Sequence, residues 1–166
     1  MGVRAAEGTD ATALAALSIE VWLSTYVKRG VSAEFAQYVL DSFTPGAFLA
    51  ELHDPDVQIF VSDNADGIDG YIKLQPNRTE WGDMEITTFY VQPRHQGSGV
   101  GRALLTRALA YCQTQGATQV WLSTNSENHP AIGFYEKQGF MAVGECYFEL
   151  EDARYLNVVL AQELIR

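Results

Sequence analysis

Residues 91–105, Val91-Gln-Pro-Arg-His-Gln-Gly-Ser-Gly-Val-Gly-Arg-Ala-Leu-Leu105, constrain this chain more than any other stretch. A β-prone run from Glu85 to Val91 leads into a loop with glycines at 97, 99 and 101. Behind the loop, Val100, Leu104, Leu105, Ala108 and Leu109 recur at helical spacing. The pattern predicts a strand, a glycine-rich loop and the N-terminus of a helix in direct succession. Such a junction offers free backbone N–H groups and the positive end of a helix dipole to an anion. Glycine lets the backbone approach closely, because no Cβ intervenes. Charge patterning agrees. The chain carries a net charge of -10, yet no Asp or Glu occurs from Ile86 to Ser126, which holds Arg94, Arg102 and Arg107.

Strong acidity argues against nucleic acid as a partner and suits a cationic substrate. A length of 166 residues, with 47% hydrophobic and 19% charged content, fits one globular domain spanning 1–166. There is no apolar run near membrane-spanning length, and Met-Gly-Val-Arg-Ala-Ala-Glu lacks the apolar core of a signal peptide, so the expected location is the cytoplasm, without membrane attachment. Cys112 and Cys146 have no metal-ligand or redox spacing and read as reduced, buried thiols. His53, His95 and His129 are scattered, so no metal site is expected.

Local signals divide the chain into elements. Val3 to Ala6 reads as a short strand. Thr9 or Asp10 caps a helix running to about Lys28 and ended by Gly30, with Leu14, Leu17, Val21 and Trp22 on one face. Ser32 caps a second helix, broken between Asp41 and Pro45, and Phe48 to His53 gives a further helical turn or two. Val57 to Ser62 and Gly70 to Gln75 form a hairpin across a polar turn. Met84 to Gln92 is a long strand, Gly101 to Gln115 a helix stopped by Gly116, and Val120 to Ser123 a short strand. Pro130 opens a helix that Gly139 closes; Met141 to Leu150 and Leu156 to Leu160 are the last strands. The fold expected is α/β with a mixed sheet.

Two motifs on these elements resemble the GNAT family of N-acetyltransferases. Gln96-Gly97-Ser98-Gly99-Val100-Gly101 is similar to that family's acetyl-CoA motif, Gln/Arg-x-x-Gly-x-Gly/Ala. Asn128-His-Pro-Ala131, followed by Phe134-Tyr135 and Gly139-Phe140, is similar to its second motif. A dinucleotide-binding loop is the rival reading, but this loop runs Gly-x-Gly-x-Gly and no second βαβ half follows. The resemblance covers the whole chain. It implies a central, mostly antiparallel sheet of six to seven strands flanked by about four helices. Tyr71-Ile-Lys73, Trp121-Leu122, Gly144 to Phe148 and the Trp22…Thr25-Tyr26 helix are further similar to the PaiA group of spermidine/spermine N-acetyltransferases.

The resemblance also implies roles. Acetyl-CoA is the cosubstrate, its pyrophosphate on the N–H groups from Gly97 to Arg102, with charge added by Arg102 and Arg94. Main-chain groups of Phe89 and Val91 pair with the pantetheine arm, which Asn128 also contacts while capping its own helix. Tyr135 protonates the departing thiolate, and Glu85 is the candidate base; a solvated strand-end glutamate and a water relay are the competing readings. Some family members carry a glutamate on the following strand, where this chain has Ser123-Thr124-Asn125. The acceptor is a small-molecule amine, a polyamine among the candidates, contacted by Trp22, Tyr26 and Glu149. Acids at 145, 149, 151 and 152 and the aromatics Trp22, Tyr26 and Tyr38 suit a polycation through ion pairing and cation–π contact. A peptide N-terminus, an antibiotic amine or an amino acid are alternative acceptors. From a different class comes a non-catalytic acyl-CoA-binding domain. The apolar C-terminal strand permits a homodimer.

Overall fold

The computed structural model describes residues 2–150 and 152–165. In chain order its elements are β1 (Gly2–Ala5), α1 (Ala11–Tyr26), α2 (Ala33–Ser42), α3 (Pro45–His53), β2 (Gln58–Asn64), β3 (Gly67–Thr79), β4 (Gly82–Val91), α4 (Val100–Thr114), β5 (Gln119–Asn125), α5 (His129–Lys137), β6 (Met141–Leu150) and β7 (Ala153–Glu163). The strands form one seven-stranded sheet in the order β1-β2-β3-β4-β5-β7-β6. β1–β2, β5–β7 and β6–β7 pair antiparallel, and β4–β5 pair parallel. The mixed α/β architecture expected from the residues is present, with five α-helices among the described residues.

Local chemistry accounts for most boundaries. Ser32 accepts from Phe35 N–H to start α2, and Thr44 accepts from Ala47 N–H to start α3, with Pro45 in its first turn. The segment from Asp41 to Pro45 is thus a stop followed at once by a new start, and α3 is a full helix rather than a turn or two. α1 ends at Tyr26, before Gly30, where Val27 N–H closes on Leu23 O. β3 runs to Thr79, four residues beyond the expected end at Gln75, and carries Pro76 within it. β5 and β7 are likewise longer than expected, because they pair with each other over seven positions, from Gln119↔Glu163 to Asn125↔Asn157.

The chain resolves into two compact units, one comprising residues up to Lys73 with Thr88–Ala108, the other Leu74–Thr87 with the residues from Leu109 onward. In the first unit, Leu14, Leu17 and Val21 of α1 and Phe48 of α3 pack on Ile59, Val61 and Tyr71. Tyr71, fully buried, meets Ser18 Oγ at 2.6 Å, so its hydroxyl does not stand alone in the core. In the second unit, Trp121, Val159 and Ala161 form a buried cluster against which Trp81 and Cys146 pack. Asp83, at the start of β4, accepts from the N–H groups of Thr118 and Gln119, at 3.0 Å and 3.1 Å for the shorter contacts. Those bonds hold its carboxyl below the usual carboxylate range despite desolvation by burial, which acts the other way. Gly82 belongs to the same clamp: a Cβ there would lie 2.7 Å from Gln119 O, so a side chain would part the strands.

Candidate acetyl-transfer site

The first unit contains the glycine loop. Gly97 and Gly99 have φ of +85° and +96°, a region that side-chain-bearing residues rarely enter. Ser98 donates its hydroxyl to His95 O, and its N–H bonds the same carbonyl at 3.2 Å, so the loop is wound tightly on the turn before it. Gln96 Nε2 donates to Val91 O at 3.2 Å, tying the loop back to the end of β4. α4 then starts at Val100. Its first three N–H groups, of Val100, Gly101 and Arg102, have no carbonyl one turn back within the helix, and Ala103 is the first to bond in helical fashion, to Gly99 O at 3.0 Å. Residues 96–99 and Arg102 are exposed. The loop therefore presents an anion-sized set of donors at a helix N-terminus, in the acid-free stretch of the chain.

The Val91 carbonyl accepts from Gln96 Nε2, and its second lone pair remains for an incoming amide. Arg94 is paired with Glu20 of α1 at 3.2 Å, and Gln92 Nε2 donates to the same carboxylate at 3.2 Å. Glu20 thus holds the residues leading into the loop, and Arg102 is the arginine of the loop itself with no ion pair among the described residues.

Substitution of Gly99 by valine is expected to raise the KM for acetyl-CoA about ten-fold, because a positive φ costs an L-residue roughly 1–2 kcal/mol. A steady-state titration of acetyl-CoA checks this; an unchanged KM would remove the loop from donor binding.

The same unit holds an aromatic chain. Trp22 stacks with Tyr26 at 4.8 Å, Tyr38 at 5.0 Å and Phe35 at 5.4 Å between ring centroids. Tyr38 continues to Phe43, Phe43 to Tyr90 and Tyr90 to Tyr71. Trp22 is only 3% exposed, whereas Tyr26 is 38% exposed. Trp22 is accordingly the hub that joins α1 to α2, and Tyr26 is the more exposed member of the pair.

The second unit holds Glu85, Asn128, Tyr135 and Glu149. Asn128 Oδ1 accepts from Ala131 N–H at 3.4 Å, the capping role its place before Pro130 predicts. Tyr135 is 8% exposed, with its ring 5.6 Å from Phe134 and 5.7 Å from Phe140. Burial pushes its phenol well above the usual range. Glu85 stands opposite Trp121 in the β4–β5 ladder, which joins the strands at Met84↔Val120 and Glu85↔Trp121.

Alternation sorts the rest of this unit into two faces. Trp121, Ser123 and Asn125 of β5 lie across from Ala161, Val159 and Asn157 of β7, and the last two lie across from Gly144 and Cys146 of β6. These share the face of Glu85. Glu145, Tyr147 and Glu149 pair with Val158, Leu156 and Arg154 and fall on the opposite face. Glu149 is well exposed and paired with Arg154 at 3.4 Å, while the Arg154 guanidinium lies over the Tyr147 ring. Glu149 is thus separated from Glu85 by the sheet. Glu151 lies outside the described residues.

The Glu85 face carries three neutral polar side chains: Ser123 and Asn125, which the sequence marks as standing where some family members have a glutamate, and Asn157, which it does not single out. Ser123 is exposed in a strand whose preceding residues are buried, and Asn125 and Asn157 are half-buried. Among the described residues, the side chains of Ser123 and Asn157 have no hydrogen-bond partner, whereas Asn125 Oδ1 accepts from Glu127 N–H. The absence of a β5 glutamate was visible in the sequence; the polar surface that replaces it depends on the β5–β7 register.

The acetyltransferase (GNAT) family matches residues 19–140, and the chain belongs to that family. An uncharacterized N-acetyltransferase of Mycobacterium tuberculosis is 30% identical over 157 residues, covering 95% of this chain and 99% of that protein. Streptothricin acetyltransferase of Streptomyces lavendulae is 33% identical over 106 residues, 63% of this chain and 55% of that protein. Among solved structures, the PaiA N-acetyltransferase of Thermoplasma acidophilum in complex with coenzyme A superposes with a TM-score of 0.77 at 16% identity, over 98% of this chain and 99% of that one, a likeness of fold. The protein is an N-acetyltransferase.

Proposed function

We propose that this enzyme acetylates a primary amine on a small molecule by direct attack within a ternary complex. The observation that carries the reading is the loop of Gln96 to Arg102, where two glycines at positive φ open onto the N-terminus of α4. There the N–H groups of Gly97 and of Gly99 to Arg102 hold the pyrophosphate, Ser98 N–H being turned to His95 O, with Arg102 adding charge. Glu85, directly or through a water, takes one proton from the arriving ammonium; the freed lone pair attacks the thioester carbonyl carbon, a C–N bond forms, the C–S bond breaks as Tyr135 gives its proton to the leaving thiolate, and the nitrogen's second proton is lost to solvent. Both groups recover their starting states from solvent. Cys112 takes no part as a nucleophile: it is fully buried, and burial pushes it up to about 12. Residues 1–166 act as one catalytic domain, since β3, β4 and α4 each supply residues to both units.

A polyamine is the first acceptor class, supported by the acidity of the chain and the fold likeness to a PaiA enzyme. A second reading is an antibiotic-type amine bearing hydroxyl or amide groups. It is favoured by the neutral surface of Ser123, Asn125 and Asn157, by the location of Glu149 on the other face, and by the streptothricin acetyltransferase relative. The test is acetyl-CoA-dependent release of free CoA thiol against spermidine, spermine, lysine, peptides with free N-termini, an aminoglycoside and streptothricin. Turnover with spermidine and spermine alone is the result expected of a polyamine enzyme. Preference for streptothricin or the aminoglycoside selects the second reading, and preference for peptides overturns both.

A further inference from the structure

β3 continues past its expected end and carries Asn77 alongside Glu85. Asn77 Nδ2 donates to Glu85 Oε2 at 3.1 Å. The backbone of Asn77 is itself held, because Trp121 Nε1–H donates to Asn77 O at 3.0 Å. Trp121 is in turn the residue opposite Glu85 in the β4–β5 ladder. Glu85, Asn77 and Trp121 therefore form a closed ring of contacts: a strand pairing, an indole-to-carbonyl bond and an amide-to-carboxylate bond. Trp121 is 5% exposed and its ring packs against Trp81 at 5.3 Å, so this side of the ring is rigidly seated.

The consequence lies in which oxygen of Glu85 remains. Oε2 accepts from Asn77, and among the described residues Oε1 has no hydrogen-bond partner. A glutamate on a strand has three side-chain torsions to settle, and one bond to a fixed donor removes most of that freedom. It leaves a single carboxylate oxygen to meet an amine on the face shared with Ser123 and Asn157.

We infer that Asn77 is a positioning residue for the reaction: anchored by the indole of Trp121, it orients Glu85 so that Oε1 takes the proton of the acceptor ammonium. The inference rests on the reading of Glu85 as the base. A solvated glutamate needs no such anchor, and an asparagine kept for the hairpin alone has no need to face it.

The test is a double-mutant cycle on the full-length protein. Asn77→Ala, Glu85→Gln and the double variant are compared with the wild type, using the acceptor that the wild type turns over fastest in the panel above. Asn77→Ala is expected to lower kcat about ten-fold, the scale of one lost hydrogen bond to a charged group, with the KM for acetyl-CoA within two-fold of wild type. In the Glu85→Gln background the same change is expected to have no further effect, because there is no longer a carboxylate to orient. Asn77→Ser, which retains a short donor, is expected to recover part of the loss, and thermal melting of all variants controls for misfolding. An equal loss from Asn77→Ala in both backgrounds overturns the positioning role while leaving Glu85 as base. Full activity of Glu85→Gln overturns the base reading and the inference with it.

Discussion

Replacement of Trp22 by alanine is expected to destabilise the protein by about 3–5 kcal/mol, the range for removing a large buried aromatic side chain. The expectation follows from its surroundings. Trp22 is 3% exposed and is the shared partner of three rings, Tyr26, Phe35 and Tyr38. Phe35 and Tyr38 lie on α2, whose burial is otherwise thin: among its residues only Val39 is buried. Without the indole, α2 loses its main attachment to α1 and a cavity of aromatic size opens between them. Urea denaturation measures the effect. A denaturation midpoint close to wild type, accompanied by a raised KM for the amine alone, would return Trp22 to the substrate-contacting role that its sequence pattern first suggested. Tyr26→Ala provides the contrast: its ring is 38% exposed, so a smaller stability loss and a larger effect on acceptor KM are expected.

The contrast between Trp22 and Tyr26 shows where reading from the residues stops. Helical periodicity places both on α1 near the α1–α2 connection, and both are aromatic. It does not say which is covered by α2, because that depends on how α2 is aimed. Features set by local chemistry were legible in advance. The glycine loop, the Ser32 and Asn128 caps, the Pro130 start and the stops at Gly116 and Gly139 each follow from a side chain and its immediate neighbours. Thr44-Pro45 shows a local signal read with the wrong sense: a proline that ends one helix also opens the next.

Features set by register were not legible. Alternation along β6 puts Glu145 and Glu149 on one face, but which face that is relative to Glu85 depends on pairing through β7 and β5, and on the irregularity between Ala142 and Gly144. The acids of the last hairpin suit an acceptor site or a solvated edge equally well in the sequence; in the structure Glu149 lies on the face opposite Glu85 and is paired with Arg154. Asn77 escaped notice for a related reason. The strand expected to end at Gln75 continues through Pro76 and brings Asn77 beside Glu85.

Tyr135→Phe is expected to lower turnover about a hundred-fold, the lower end of what a positioned proton donor contributes, while the Kd for acetyl-CoA stays within two-fold. The substitution removes one oxygen and leaves the ring contacts with Phe134 and Phe140 in place, and thermal melting of the variant checks that the fold is kept. The environment sets the pH dependence. Burial disfavours the phenolate and raises the phenol above its ordinary value of about 10, so the proton is present throughout the neutral range. The wild-type enzyme should accordingly show no alkaline loss of kcat from this residue below about pH 10; any basic limb at lower pH belongs to another group. The same shift bears on the proton transfer itself. A phenol held above its usual value gives its proton less readily to a thiolate near 8.5 than an exposed tyrosine would, so Tyr135 acts as the sulfur gains charge rather than before it. An acceptor whose amine attacks rapidly should therefore be more sensitive to Tyr135→Phe than a poor one, because sulfur departure then limits the rate. Turnover and acetyl-CoA affinity measured together decide the matter: loss of both points to a packing role for the tyrosine, and retention of both removes it from the mechanism.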